Sequence, residues 1–225
     1  ILERRKLRAE KQTAELENQR EQLRANLLRA ISHDLRTPLT GISGNAGMLM
    51  EKSFSLDESK KQEMYRSIYD DSMWLVNLTE NLLSITRIEN GTMPLRRNAE
   101  LIDDIFHEAL SHVDRRATEH EIHVELADDM LMANMDARLI IQVIINIVNN
   151  AVKYTPPGGS VVLSAARTDS FCRVDVADTG PGIPESEQAA IFGRFARGAA
   201  ARGTEGLGIG LYLARQIAAG QGGYI

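Results

Sequence analysis

The chain has 225 residues, 43% of them hydrophobic and 25% charged, with a formal net charge of −5. That is an ordinary soluble composition, large enough for one or two domains, and its acidic balance argues against a protein devoted to a nucleic-acid backbone. A lone cysteine, Cys172, excludes an internal disulfide framework, and the most apolar stretch, LIIQVIINIV at 139–148, is too short and too interrupted by Gln142 and Asn146 to span a bilayer. No signal peptide is visible, and a sequence that opens at Ile1 in the middle of a charged helical pattern is expected to be part of a longer protein.

Residues 1–30 lack Gly and Pro and are rich in Glu, Lys, Arg, Gln, Leu and Ala, which favours helix. Leu2, Ala9, Leu16, Leu23 and Ala30 recur every seven residues, the spacing of a coiled-coil seam, but the second seam position is mostly polar. A solvated single helix is the alternative. A second apolar stripe at Leu28, Ile31, Leu35, Leu39, Ile42, Ala46 and Leu49 predicts a core-facing helix. After a break at 52–56, Ser55 and Glu58 stand at capping-box spacing ahead of Met64, Ile68, Leu75, Leu78, Leu82 and Ile85. This second helix is predicted to stop near Asn90-Gly91, with Pro94 beyond. Two long helices with one narrow stripe each cannot cover both stripes alone, whereas a four-helix bundle from two chains does.

Beyond residue 92 the pattern becomes mixed. Leu101 to Arg116 predicts helix, Ile122 to Leu126 a strand and Ala137 to Tyr154 a helix. Val161 to Ala166 and Cys172 to Ala177 predict strands joined by a turn near Asp169-Ser170, and residues 196–210 a loop rich in Gly, Ala and Arg. A final helix is predicted from Leu211 to Ala218. Together these elements predict an α/β sandwich over 95–225.

Five segments carry candidate chemistry. In ISHDLRTPLTG at 31–41, His33 is turned away from the stripe of Ile31 and Leu35 and shares its outward face with Thr37. Asp34 is placed to hold a proton on one ring nitrogen while the other attacks, and Pro38 should bend the helix just beyond. Alone, a surface His beside an Asp reads as merely solvated. In NIVNNAVKYTPPGG at 146–159, Asn146, Asn150, Lys153 and Tyr154 line one helix face opposite Ile141, Ile144, Val148 and Val152. Amide oxygens suit a hard cation and an ammonium suits phosphate; a plain solvent face is the bland alternative, although Asn is a weak helix former.

In VDVADTGPGIP at 174–184 an aspartate closes an alternating strand, where a buried carboxylate can accept from an exocyclic amine, and Gly180 and Gly182 permit close backbone approach. A Gly-Pro turn explains the same letters. IFGRF at 191–195 offers Phe192 and Phe195 as packing anchors around Arg194, and GLGIGL at 206–211 offers backbone amides ahead of a helix, an arrangement suited to phosphate. His107, His112, His120 and His123 show no ligand spacing and read as solvated or packing histidines.

The order of these segments resembles the five signature boxes of bacterial sensor histidine kinases of two-component systems: His-Asp-x-x-Thr-Pro, Asn-x-x-x-Asn-Ala-x-Lys-Tyr, Asp-Thr-Gly-Pro-Gly-Ile, Phe-x-x-Phe and Gly-x-Gly-x-Gly. Within that family the wording of RAISHDLRTPLTGISG, LTENLLSITRIENG and MDARLIIQVIINIVNNAVKYTP is most similar to the KdpD-type, potassium-responsive kinases. The resemblance implies a signalling coiled coil at 1–25 and a dimerisation and histidine phosphotransfer domain at 26–91. A catalytic domain of the histidine kinase/Hsp90-like ATPase type follows at 92–225. It implies ATP and Mg2+ as cofactors, a homodimer, and a response regulator receiver domain as partner. Nucleic acid and direct membrane contact are not expected for this stretch, the cytoplasmic portion of an inner-membrane protein.

Residue by residue, the resemblance implies that His33 is phosphorylated with the help of Asp34, and that Thr37 positions a water or the phosphoryl group during dephosphorylation. Asn150 matches the magnesium ligand, with Asn146 beside it, Lys153 near the phosphates and Tyr154 against the nucleotide. Asp178 matches the residue that recognises the adenine amine in a pocket shaped by Gly180 and Gly182. Arg194 matches a phosphate-contacting arginine, and Gly206, Gly208 and Gly210 belong to the hinge of the lid over ATP. Two departures accompany it: Gln221 stands where a histidine often does, and one or two further strands are expected after QGGYI. Competing readings are another ATPase of the same superfamily, which lacks the His33 hairpin, and a non-catalytic dimerisation module that binds nucleotide for structure.

Overall fold

A computed structural model describes residues 11, 15, 18, 22, 29, 31–32, 34–51, 55–89, 94–113, 115–196 and 208–225. The predicted seam at Leu2, Ala9, Leu16, Leu23 and Ala30, together with Leu28, His33, Asn90-Gly91 and Gly206, lies outside the described residues. The chain divides into two compact units, Ile1–Thr79 and Glu80–Ile225.

The first unit is built on a helical hairpin. Helix α1 runs through residues 34–51, unbroken at the buried Pro38, and helix α2 runs Glu58–Glu89, its residues from Glu80 onward belonging to the second unit. The capping residue of α2 is Asp57 and not the expected Ser55: its carboxylate accepts from the Lys60 N–H at 2.7 Å, satisfying a donor of the first turn. Ser55 stands too early because the helix starts at Glu58. The two helices pack antiparallel. Asn45 donates to Ser67 Oγ at 3.0 Å, and one turn earlier on α1, one turn later on α2, Gly41 abuts Asp71. A Cβ at Gly41 would lie 2.6 Å from the Asp71 carboxylate, so any larger residue there would require the Asp71 side chain to turn aside. The predicted stripe on α2 turns inward, with Met64, Leu78 and Ile85 buried. On α1 the expected buried stripe is not closed: Ile31, Leu35, Ile42, Ala46 and Leu49 are half-buried and Leu39 is 49% exposed, because a two-helix hairpin covers only part of each helix surface.

The second unit is an α/β sandwich. Strands β1 (Asn98–Leu101) and β3 (Met132–Met135) pair antiparallel, Asn98 opposite Met135. A separate mixed sheet has the order β2 (Glu121–Leu126), β4 (Ser160–Arg167), β5 (Cys172–Asp178), with β2 parallel and β5 antiparallel to β4. Helices α3 (Ile102–Ser111), α4 (Ala137–Tyr154) and α6 (Gly210–Gly220), with a short turn of helix α5 (Glu185–Gln188), complete the unit. Helix α4 matches its predicted span and buries Val143, Ile144, Val148, Ala151 and Val152, the face its periodicity selects. Ile144, Val148, Ala151 and Val152 meet Phe106 and Ile102 of α3 and Val161 and Leu163 of β4 in one core.

The predicted helix over Leu101 to Arg116 is shorter than expected. Leu101 belongs to β1, the Ile102 N–H is taken by Leu131 O at 3.0 Å, and a separate 3-10 turn occupies Arg115–Glu119. Strands β1 and β3, absent from the sequence reading, are four residues each and owe their existence to pairing with each other.

Buried Asp136 ties the ends of this unit together. Its carboxylate accepts from the Arg96 N–H at 2.9 Å and faces the Arg138 guanidinium at 3.4 Å, while its own N–H donates to Gln221 Oε1 at 2.7 Å. Arg97 donates to Gly220 O at 3.0 Å beside it. Gln221 therefore fastens the end of α6 to the start of α4. Burial raises the Asp136 pKa, but the Arg96 and Arg138 contacts outweigh it and hold the carboxyl below its usual value.

Candidate functional site

In the first unit, among the described neighbours of His33, Asp34 is half-buried and Thr37 is exposed, three residues apart on α1. Thr40, also exposed, donates its hydroxyl back to Arg36 O at 2.8 Å.

In the second unit the candidate nucleotide residues converge along α4. At its middle, Gly210 at the start of α6 sits against Asn146, and a Cβ there would lie 3.4 Å from Asn146 Oδ1. At its end, Gly180 packs where a Cβ would lie 2.7 Å from Asp178 Oδ1, 3.1 Å from Tyr154 O and 3.4 Å from Thr155 Oγ1. Its N–H donates to Asp178 Oδ1 at 2.8 Å. Asn146 and Tyr154 are eight residues apart on α4, roughly 12 Å at the rise of an α-helix, with Asn150 and Lys153 between them and Thr155 just beyond the helix end. Gly182 and Gly208 adopt φ of 70° and 66°, backbone that other residues rarely take.

The expectation of a buried carboxylate at the end of β5 is not met: Asp178 is exposed. The reason is its place in the sheet, since among the described strands β5 lies at an edge, with β4 alone beside it.

Buried polar atoms carry the chemical information. Among the described residues, Asn146 Nδ2, Thr155 Oγ1 and Gln221 Nε2 are buried without a hydrogen-bond partner, the first two one at each cluster and the third beside Asp136. An unpartnered buried polar group costs about 1–3 kcal/mol, so each asks for a ligand or water beside it. Together with amide oxygens at Asn146 and Asn150, the ammonium of Lys153 and glycines at both ends, the donor set fits an extended nucleotide with a bound hard cation. Lys153 Nζ lies 5.2 Å from the Tyr154 ring centroid.

The IFGRF segment packs on α6. Arg194 Nη2 donates to Tyr212 Oη at 2.8 Å with its guanidinium 5.0 Å from the Tyr212 ring centroid, and Arg215 lies 6.0 Å from the Phe192 ring. Thr155 and Tyr212 escaped the sequence reading; the only available signal was their position beside Tyr154 and Gly210. The remaining histidines have local partners: His107 with Asp103, His112 with Glu108, His123 with Glu121, and His120 with the Thr155 carbonyl at 3.0 Å. Among the described residues no three His, Cys, Asp or Glu side chains cluster as a metal site, and no helix is long and apolar enough to cross a membrane.

Comparison with known families adds the following. Residues 23–91 match the His Kinase A (phospho-acceptor) domain, and residues 135–225 match the histidine kinase-, DNA gyrase B- and HSP90-like ATPase family. The sensor protein KdpD of Clostridium acetobutylicum is 37% identical over 226 residues, covering 100% of this chain and 25% of that protein. The sensor protein KdpD of Escherichia coli is 32% identical over 224 residues, with the same coverage of 100% and 25%. The chain thus spans about a quarter of the length of these relatives. Among solved structures, full-length ShkA in complex with AMPPNP has a TM-score of 0.60 at 28% identity, covering 88% of this chain and 41% of that one.

Proposed function

We propose that this chain, which belongs to the sensor histidine kinases and is similar to the KdpD-type transmitter region, transfers the γ-phosphoryl group of ATP to His33 and passes it to an aspartate of a response regulator. We propose the boundaries 1–25, 26–91 and 92–225 for its signalling helix, phosphoacceptor and catalytic domains, and a place on the cytoplasmic side of a membrane sensor that controls potassium uptake. The observation that carries the reading is the placement of two buried atoms unpartnered among the described residues, Asn146 Nδ2 on α4 beside Gly210 and Thr155 Oγ1 just past the end of α4 beside Gly180.

In this reading Asp178 accepts from the adenine amine, Gly180 and Gly182 shape the base pocket, and Tyr154 lies against the nucleotide. Asn146, Lys153 and the backbone at Gly206, Gly208 and Gly210 receive the phosphates. Magnesium, held through Asn150, supplies neutralisation of phosphate charge. Arg194 contacts the transferring phosphoryl group, and Asp34 holds the proton of one His33 nitrogen so that the other attacks. Thr37 orients the water that later removes phosphate from the regulator.

A homodimer is proposed on the exposed face of α2, where Tyr65, Tyr69, Met73 and Val76 recur at helical spacing. Incubation with labelled ATP should yield acid-labile, base-stable phosphate that His33→Gln abolishes while ATP binding stays within a few-fold. Label that persists in the variant, or that is acid-stable, refutes histidine chemistry. Nucleotide binding with no label at all returns the chain to a non-catalytic nucleotide module.

A further inference from the structure

We propose that Tyr212 is a positioning residue for Arg194, holding its guanidinium at the first turn of α6 next to the phosphate end of the nucleotide site. The inference rests on the reading of Arg194 as the phosphate-contacting arginine. Arginine is a long side chain with many rotamers, and a group that must meet a transferring phosphoryl works best when that freedom is removed beforehand. Tyr212 removes it in two ways. Its hydroxyl accepts from Arg194 Nη2 at 2.8 Å, fixing where the fork ends, and its ring stands 5.0 Å from the guanidinium carbon, limiting its movement away from α6.

The backbone around this contact is held with similar care. Phe195, next to Arg194, has φ of 61°, a conformation costly for a bulky residue that persists only where its surroundings enforce it. Ala196 is pressed against Gly208, where a Cβ would lie 2.4 Å from Ala196 O. The segment bearing Arg194 is thus locked to the strand of chain that enters α6, and Gly210 in the same turn touches Asn146. Tyr212 lies in the same first turn of α6 as Gly210, the residue that abuts Asn146. A second stack, Arg215 near Phe192, holds the same segment without touching Arg194.

The test compares Tyr212→Phe, Tyr212→Leu, Arg194→Lys and Arg215→Met in the full chain, reading kcat for autophosphorylation, KM for ATP and affinity for a non-hydrolysable ATP analogue. Tyr212→Phe should lower kcat about three- to tenfold, the equivalent of one hydrogen bond, and Tyr212→Leu by a further few-fold as the ring contact is lost, with KM and analogue affinity within about twofold. In the Arg194→Lys background, where the planar fork is gone, Tyr212→Phe should cost less than about twofold. Unchanged kcat in both Tyr212 variants overturns the proposal. So does an equal fall in analogue affinity, which marks Tyr212 as packing for α6, or an equal loss of kcat in Arg215→Met, which marks general tethering. If Arg194→Lys itself retains full kcat, the assignment of Arg194 fails and this inference falls with it. If Arg194→Lys is impaired while Tyr212→Phe costs as much there as in the parent, the inference alone fails.

Discussion

Helices α2 and α4 solve the problem of apolar surface in opposite ways. Over 32 residues α2 fully buries Met64, Leu78 and Ile85 and leaves Tyr65, Tyr69, Met73, Val76 and Leu83 exposed, whereas the 18 residues of α4 fully bury five. Up to Thr79 α2 packs against α1, and only its end meets α4, where Gln142 donates to Asn81 Oδ1 at 2.9 Å and Ser84 donates to Gln142 Oε1 at 3.3 Å, whereas α4 lies among a sheet, α3 and α6. The candidate nucleotide residues therefore sit in a unit that closes its own core, while the hairpin leaves apolar side chains of α2 exposed. Binding of ATP and presentation of the histidine are expected to depend on different kinds of stability.

The largest effect that tests this contrast is Phe106→Ala. Phe106 is fully buried at 0% exposure, and its truncation should cost about 3–5 kcal/mol and abolish nucleotide binding. The counterpart Tyr69→Ala, at a site 59% exposed, should change urea unfolding at low protein concentration by less than about 0.5 kcal/mol while weakening self-association in sedimentation. Comparable destabilisation by the two would break the contrast. Next in size, Asp178→Asn should reduce ATP affinity by about 1.5–3 kcal/mol in calorimetry, since an amide replaces a charged acceptor, and leave the hairpin intact by circular dichroism. Unchanged affinity would move the base pocket elsewhere.

Acid should act on the α/β unit through Asp136. Its folded-state pKa is lowered, so its contribution is complete above the unfolded carboxylate value of about 3.9 and is lost as pH falls from there through the lowered folded value. Thermal melts of the unit between pH 6 and pH 3 should show this loss, and Asp136→Asn should flatten that part of the profile. A variant whose melts fall just as steeply would assign the acid sensitivity to other groups. The smallest effect on stability is expected from Thr37→Ala, within about 0.5 kcal/mol because alanine is the better helix former and Thr37 is exposed. Its functional effect should be selective: autophosphorylation retained, and most phosphatase activity toward the regulator lost. Parallel assays in which both activities fall together would make Thr37 structural.

Periodicity alone located α4 to the residue and turned Ile144, Val148 and Val152 inward, because a helix face is a local property of spacing. It also brought Asn146 and Asn150 onto one face and put the glycines next to the loops that need them. What it could not reach was decided by partners distant in the chain. Strands β1 and β3 exist through a pairing across more than thirty residues, and the exposure of Asp178 follows from β5 having one neighbour in its sheet. Likewise Tyr212 meets Arg194 and Gln221 meets Asp136 through side-chain hydrogen bonds between separate segments. Local spacing carries the free-energy preference of a single element, but a hydrogen bond across 18 or 85 positions exists only once packing has brought its two ends together.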